Sequence, residues 1–276
     1  GEVFEADPAQ TSFFQGGKIG WDGIDTNLPS VFDFKLWRTS QEVFTGKKPA
    51  RALRDVLKYD GLYGNINNVT VLANNHDTDR FMSLDGATKE GAKLHTAFIL
   101  ATRGIPQLYY GEEILMTGGH DPDNRKDFPE DKFSKTGRTS DEQEMFEWTQ
   151  KWIKLRKENR ALREGRTIDL FYDNDVYVFE RQARVGDFGE TKQKIFAFNI
   201  SEKAKKVEIN PSMNESLTVC FNNHFGLENV YEQIEFTENV KKFVPREEKC
   251  FETKPTKFSL SIAARSVIAF DIYSVL

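Results

Sequence analysis

Val69-Thr70-Val71-Leu72-Ala73-Asn74-Asn75-His76-Asp77-Thr78-Asp79-Arg80 orders everything else in the chain. An apolar, β-branched run of strand length breaks off into two amides, an imidazole, two acids and an arginine. A buried strand of this kind carries its polar cluster to its C-terminal end. That is the end at which α/β folds keep their chemistry.

Upstream of it, residues 1–5 read as a short strand whose second residue is an acid, and Asp7-Pro8 starts a helical turn. A Gly-rich polar loop runs from Gly16-Gly17 to Gly23, and Val31-Phe32-Asp33-Phe34 is a second short strand. Helix-period apolar residues follow at Leu36, Val43 and Phe44, and again at Ala52, Leu53, Val56 and Leu57, with Pro49 at a helix start. Downstream, a helix is expected over residues 89–102, closed by Arg103-Gly104, and residues 105–110 form a fourth strand leading into Gly111-Glu112-Glu113. A polar loop over 118–138 precedes an amphipathic helix over 141–159, acidic at its start and basic at its end. Strand and helix thus alternate four times, which is half of a (β/α)₈ barrel or else a small open parallel sheet. After Gly165 the pattern changes to short alternating segments at 167–171, 176–181, 194–199, 206–209, 216–220, 258–260 and 266–270, an antiparallel sandwich or meander. The boundary is expected at 163/164, giving a domain over 1–163 and another over 164–276.

The chain has 276 residues, of which 38% are hydrophobic, 13% aromatic and 29% charged, the composition of an ordered globular protein with room for two domains. Its 38 basic and 43 acidic residues are well mixed, for a net charge of −5, so no broad positive face is offered to phosphate backbones and nucleic-acid binding is disfavoured. No apolar run reaches membrane-spanning length. Residue 1 is Gly, and the start is expected to be a cut in a longer polypeptide, which leaves the compartment unassigned. Cys220 and Cys250 lack a metal-type spacing; two free thiols or one disulfide both fit.

By chemistry, the leading side chains are Glu2, Asp77 and His76, with Arg80, Asp79, Asp33 and Tyr110 behind them. Carboxylates converging from different strands suit glycoside hydrolysis: one holds a proton for the leaving oxygen while another stabilises positive charge near the anomeric carbon. A strand-end Asp serves equally well as a helix N-cap, and a lone His as a core side chain. Asp33 is expected to be such a structural acid. Arg125 and Asp127 are expected to pin the long loop.

Asn74-Asn75-His76-Asp77 resembles the fourth sequence signature of the α-amylase family, glycoside hydrolase family 13, in which Asn-His-Asp follows the seventh barrel strand. Ser30-Val31-Phe32-Asp33-Phe34 with Leu36 and Val43-Phe44 is similar to the sixth strand and its helix. The run from Arg103 through Tyr109-Tyr110 to Glu113 is similar to the eighth strand and its exit. The loop carrying Asp121-Pro122-Asp123-Asn124-Arg125 and Asp127-Phe128-Pro129 looks like the neopullulanase and cyclomaltodextrinase branch. The helix with Leu155-Arg156 and Ala161-Leu162-Arg163-Glu164-Gly165 resembles the last barrel helix and its exit into a C-terminal β domain.

The resemblance implies the C-terminal half, four βα units, of a TIM (β/α)₈ barrel followed by an antiparallel β-sandwich. It implies part of a retaining enzyme cleaving α-1,4-glucosidic bonds of starch, maltodextrin or cyclodextrin by hydrolysis or transfer. Gly1-Glu2-Val3-Phe4 would match the fifth-strand signature, making Glu2 the general acid/base, and Asp77 would stabilise the transition state. His76, Asn75 and Arg80 would bind sugar, Arg80 and Asp79 either lining a subsite or ordering the loop, with a surface ion pair as the alternative. The first four strands, and the Asp nucleophile they carry in the family, are missing, so the chain alone is expected to be inactive. No cofactor or metal is expected in it, with calcium a candidate in the full-length protein. Its partner would be an α-glucan, and the open half-barrel invites self-association. The competing function is a non-catalytic amylase-like protein that captures sugar or supports assembly.

Overall fold

The fold is described from a computed structural model covering residues 1–17, 23–185, 190–210, 217–221, 234–236, 241–243, 249–253 and 258–274. It divides into two compact units, residues 1–154 and 155–276, ahead of the boundary expected at 163/164. The division falls inside one continuous helix, which is why turn signals in the sequence point elsewhere.

In the first unit, β1 (Thr70–Leu72) lies parallel to β2 (Ile105–Gln107), with Thr70 opposite Ile105 and Leu72 opposite Gln107. Val71 and Leu72 are both fully buried, as a strand covered on two faces requires. Two of the four expected strands are reduced. Residues 31–34 contribute one parallel bridge, Phe32 to Thr70. Asp33 accepts the Leu36 N–H at 2.8 Å and so caps a helix that begins at Phe34, leaving the extended run no room. Residues 1–5 form no strand, because the Glu5 N–H turns back onto the Val3 carbonyl at 2.7 Å. The segment still lies beside its neighbour: the Gly1 amine donates to the Ser30 carbonyl at 2.6 Å, Val3 packs against Val31, Tyr63 and Val69, and the Phe4 and Phe34 rings meet at 4.6 Å.

The helices of this unit are α1 (Pro8–Phe13), α2 (Phe34–Phe44), α3 (Arg51–Leu57), α4 (Lys89–Ala101) and α5 (Ser140–Glu158), the last running across the division. Leu36, Val43 and Phe44 of α2 and Ala97, Phe98 and Ile99 of α4 are fully buried, so the helical spacing in the sequence does mark the core face. Gly104 joins α4 to β2 at φ +86°, and a Cβ there would stand 2.4 Å from the Val69 carbonyl oxygen. Only glycine lets the chain turn so tightly into a strand whose Ile105 N–H bonds that same carbonyl at 2.8 Å. Beneath this turn Arg103, 2% exposed, reaches Asp33 at 2.7 Å and Asp60 at 2.6 Å. Burial works against its charge, but the two acids outweigh it and hold the guanidinium ionised.

The second unit opens with α6 (Arg160–Glu164). Its larger sheet has the order β3 (Arg166–Tyr172), β4 (Val176–Val185), β5 (Glu190–Asn199), β12 (Ser266–Ser274), β7 (Leu217–Phe221), β10 (Lys249–Thr253) and β9 (Lys241–Phe243). A smaller sheet holds β6 (Lys205–Ile209), β11 (Phe258–Ile262) and β8 (Ile234–Phe236). All of these pairings are antiparallel. Val176, Val178, Ile195, Ala197, Ile268 and Phe270 meet Val207, Ile209, Leu260 and Ile262 in one core. The alternate residues Tyr177, Phe196 and Phe198 gather their rings around Phe179, Phe198 stacked on it and the other two tilted, joined there by a buried ion pair between Lys194 and Asp271. Strand register sets Cys220 opposite Cys250; the state of their thiols lies outside the described side chains.

Candidate active site

β1 ends at Leu72, and the chain then folds over on itself as a loop stitched by its own amides. Asn74, fully buried, donates from Nδ2 to the Asp79 carbonyl at 2.8 Å, while its Oδ1 accepts the Asn75 N–H at 3.0 Å and the Thr78 hydroxyl. Asn75, also buried, accepts the Asp77 N–H at 3.1 Å and the Thr78 hydroxyl at 3.0 Å. Both are Asx-type bonds, which is why amides stand where the strand stops. The side chains left outward are His76 and Asp77, 58% and 38% exposed, joined by Nε2 to Oδ1 at 3.3 Å.

A second loop clamps this one from the β2 side. Asn124, fully buried, donates to the His76 and Thr78 carbonyls at 2.8 and 3.0 Å. Arg125 donates from Nε to the His76 carbonyl and from Nη2 to Asp77 Oδ1, both at 3.0 Å, and also pairs with Asp121 at 2.8 Å. The expectation that Arg125 pins the loop is met; it also grips the carboxylate of Asp77.

Of the roles expected for Arg80, a sugar subsite, loop ordering or a surface ion pair, its full burial fits the ordering one. Its Nε donates to the Asn124 carbonyl at 3.0 Å and its Nη1 to the Tyr110 carbonyl, and the guanidinium lies over the Tyr109 and Tyr110 rings at 4.7 and 4.6 Å. Planar, delocalised and weakly hydrated, a guanidinium suits such an enclosure, where it ties the two loops together. Tyr110 is consumed in the same junction, its hydroxyl donating to the Lys126 carbonyl at 2.7 Å. Asp79 stays half-exposed, 3.9 Å from His120. Glu2 is exposed, and among the described residues it has no hydrogen-bond or ion-pair partner. The structure therefore brings Asn75, His76 and Asp77 together, sets Arg80 behind them, and gives Glu2 no bond to any of them.

Glu112 went unnoticed in the sequence. It sits at the exit of β2 with its side chain 10% exposed, accepts from Asn74 Nδ2 at 3.3 Å and stands 3.9 Å from Arg80 Nη1. Burial pushes its carboxyl up to about 7, held back by Asn74 and Arg80. The only sequence sign was its place after a strand, a position where most acids are solvated. The described residues hold no group of three or more His, Cys, Asp or Glu placed for a metal ion. Among them no helix is long and apolar enough to cross a membrane.

Residues 42–151 match the family model "Alpha amylase, catalytic domain". The cyclomaltodextrin glucanotransferase of Bacillus sp. (strain 1011) is 32% identical over 157 residues, 55% of this chain and 20% of its own length. That of Geobacillus stearothermophilus is 38% identical over 120 residues, 44% of this chain and 16% of its own. The chain thus aligns with a fifth or less of these curated relatives. Among solved structures, the γ-cyclodextrin glucanotransferase of alkalophilic Bacillus clarkii superposes with a TM-score of 0.73 at 22% identity, over 99% of this chain and 36% of that one. The α-amylase of Geobacillus thermoleovorans, solved with acarbose, gives 0.70 at 21% identity, over 100% and 53%. At those identities the likeness is one of fold.

Proposed function

Residues 42–151 belong to the α-amylase catalytic-domain family, and from that premise we propose that the chain is the C-terminal part of a retaining α-glucan hydrolase or transglycosylase acting on α-1,4 bonds. In this proposal residues 1–163 are the last four units of a (β/α)₈ barrel, with β1 and β2 its seventh and eighth strands, and residues 164–276 are its β-sandwich. The observation that carries it is the exposed Asp77–His76 pair at the exit of a buried parallel strand, held from behind by Asn75, Asn124 and Arg125.

Asp77, already charge-paired with Arg125, would grip sugar hydroxyls and favour the flattened, oxocarbenium-like ring, with His76 bonding the same ring. Glu2 would be the acid/base, donating a proton to the glycosidic oxygen and taking one from water or an acceptor hydroxyl. Asn75 and Arg80 are better suited to positioning than to contact, since both are buried. The relatives' names favour transfer as well as hydrolysis, on cyclic or linear dextrins; nothing about them singles out the neopullulanase branch.

Retention needs two carboxylates about 5 Å apart, one of them a nucleophile, and the proposal places that nucleophile outside this chain, which is then inactive by itself. Phe4 at 64% and Ile105 at 49% exposure mark apolar edges that a completing half, or a second copy, would cover.

The test uses the full-length protein on soluble starch and cyclodextrin. Glu2→Gln and Asp77→Asn should each lower kcat by about a hundredfold or more. Near-normal rates in both would overturn the site. Starch binding by wild type without turnover would favour the non-catalytic alternative.

A further inference from the structure

Besides the Asn124 and Arg125 clamp on its middle, the 74–80 loop is tied at its ends through three acceptors: the carbonyl of Asp79, that of Gly118, and the carboxyl of Glu112. The first two are backbone. Asp79 accepts from Asn74 at 2.8 Å, and Gly118 accepts the Arg80 N–H at 2.9 Å. From outside the loop, Glu112 meets the residues at both of its ends, Asn74 and Arg80. Its Oε1 takes the Asn74 amide at the loop's start at 3.3 Å, and it faces the Arg80 guanidinium at the loop's end at 3.9 Å. It touches neither Asp77 nor His76.

We propose that Glu112 is the positioning residue of this site, fixing the two ends of the 74–80 loop and so setting Asp77 and His76 against the sugar. The effect on sugar rests on the α-glucan function proposed above; the effect on the loop does not.

The geometry gives the reason. Glu112 accepts the Asn74 amide at one end of the loop and stands opposite the Arg80 guanidinium at the other, which joins ends that the Asn124 and Arg125 clamp on the middle of the loop does not. The ionised form also neutralises Arg80, whose Nη2 is buried without a hydrogen-bond partner. Against ionisation stand the burial itself and the neighbouring Glu113; in favour stand Arg80, Asn74 and the Phe81 N–H. Tyr109 and Tyr110 face Arg80 with their rings and leave its charge for Glu112 to balance. These opposing effects put the carboxyl near the point where neutral pH changes its charge, and because burial favours its protonated form the closed loop is held more firmly on the acid side.

Two measurements on Glu112→Ala and Glu112→Gln of the full-length protein test this. The first is hydrogen exchange of the Asn75, Asp77, Arg80 and Phe81 amides. Glu112→Ala should speed it by about tenfold to a hundredfold, the cost of a lost buried acceptor, while β1 and α4 stay as in wild type. Glu112→Gln, which keeps one acceptor oxygen, should restore most of the protection. The second is turnover of maltoheptaose: Glu112→Ala should lower kcat by a similar factor with KM little changed, and Glu112→Gln should recover the rate but flatten its pH profile across about pH 6 to 8. Wild-type exchange in Glu112→Ala overturns the proposal, and so does equal loss of protection throughout the protein in both variants. Should wild type itself neither bind nor cleave maltoheptaose, the α-glucan function falls and the exchange measurement alone decides the role of Glu112.

Discussion

Arg80 and Glu112 face each other at 3.9 Å behind the outward-facing Asp77, the arginine fully buried and the glutamate side chain 10% exposed. Removing the arginine as Arg80→Leu leaves the Asn124 and Tyr110 carbonyls without their donor and Glu112 without its counter-charge. The expected cost is about 3–5 kcal/mol in urea denaturation, and a loss under about 1 kcal/mol would mean that water replaces the guanidinium. For Glu112 the sign of the pH effect follows from linkage. The carboxyl titrates near 4.5 when free and near 7 in the fold, so the folded chain holds more protons between those values. Its contribution is fully present below about pH 4.5 and is lost as pH rises through about 7. Glu112→Gln should therefore match wild type in stability at pH 4 and exceed it at pH 8, by at most about 3 kcal/mol; thermal midpoints at the two pH values check this. The Asn-Asn-His-Asp residues were visible as chemistry in the sequence. Their division into outward His76 and Asp77 and inward Asn74 and Asn75 was not, because the two amides differ from their neighbours only in which backbone N–H each can reach.

Turns and caps decide the elements. Asp33 both starts α2 and faces Arg103, and two variants separate those roles. Asp33→Asn keeps an acceptor for the Leu36 N–H but deprives a buried cation of one acid, a cost of about 3 kcal/mol. Asp33→Ala should cost about 1 kcal/mol more through the lost cap. Equal destabilisation by the two would show that the cap contributes nothing. Gly104→Ala is expected to destabilise by more than about 2 kcal/mol, since the methyl would stand 2.4 Å from the Val69 carbonyl oxygen at a positive φ. Chemical denaturation reads both cases. Helices α2, α4 and α5 were legible to within a residue or two from periodicity and caps. The first two strands were not, because a strand needs a partner and a run of extended backbone. Capping at Asp33 and the turn at Glu5 cut that run short, and neither effect can be seen in hydrophobic pattern alone.

For the whole molecule, the proposed half-barrel leaves Phe4 and Ile105 in solvent, an arrangement that drives pairing. Static light scattering of the isolated chain should show a concentration-dependent dimer; a monomer that persists at high concentration would remove self-association from the proposal. The sequence by itself determined that an α/β part precedes an antiparallel β part and that helices lie over about 89–102 and 141–159, within a residue of the observed Lys89–Ala101 and Ser140–Glu158, and it pointed to the polar end of the strand at Thr70–Leu72 as the candidate site. Those features rest on periodicity and on local side-chain-to-backbone bonds, which near neighbours in the chain settle among themselves. Only the tertiary structure decided that Arg80 is an internal tie, that Arg125 holds Asp77 and that Glu112 stands beneath both ends of the loop. Each of those contacts joins residues 30 or more positions apart, and the burial that gives them their strength exists only once the two loops have closed over one another.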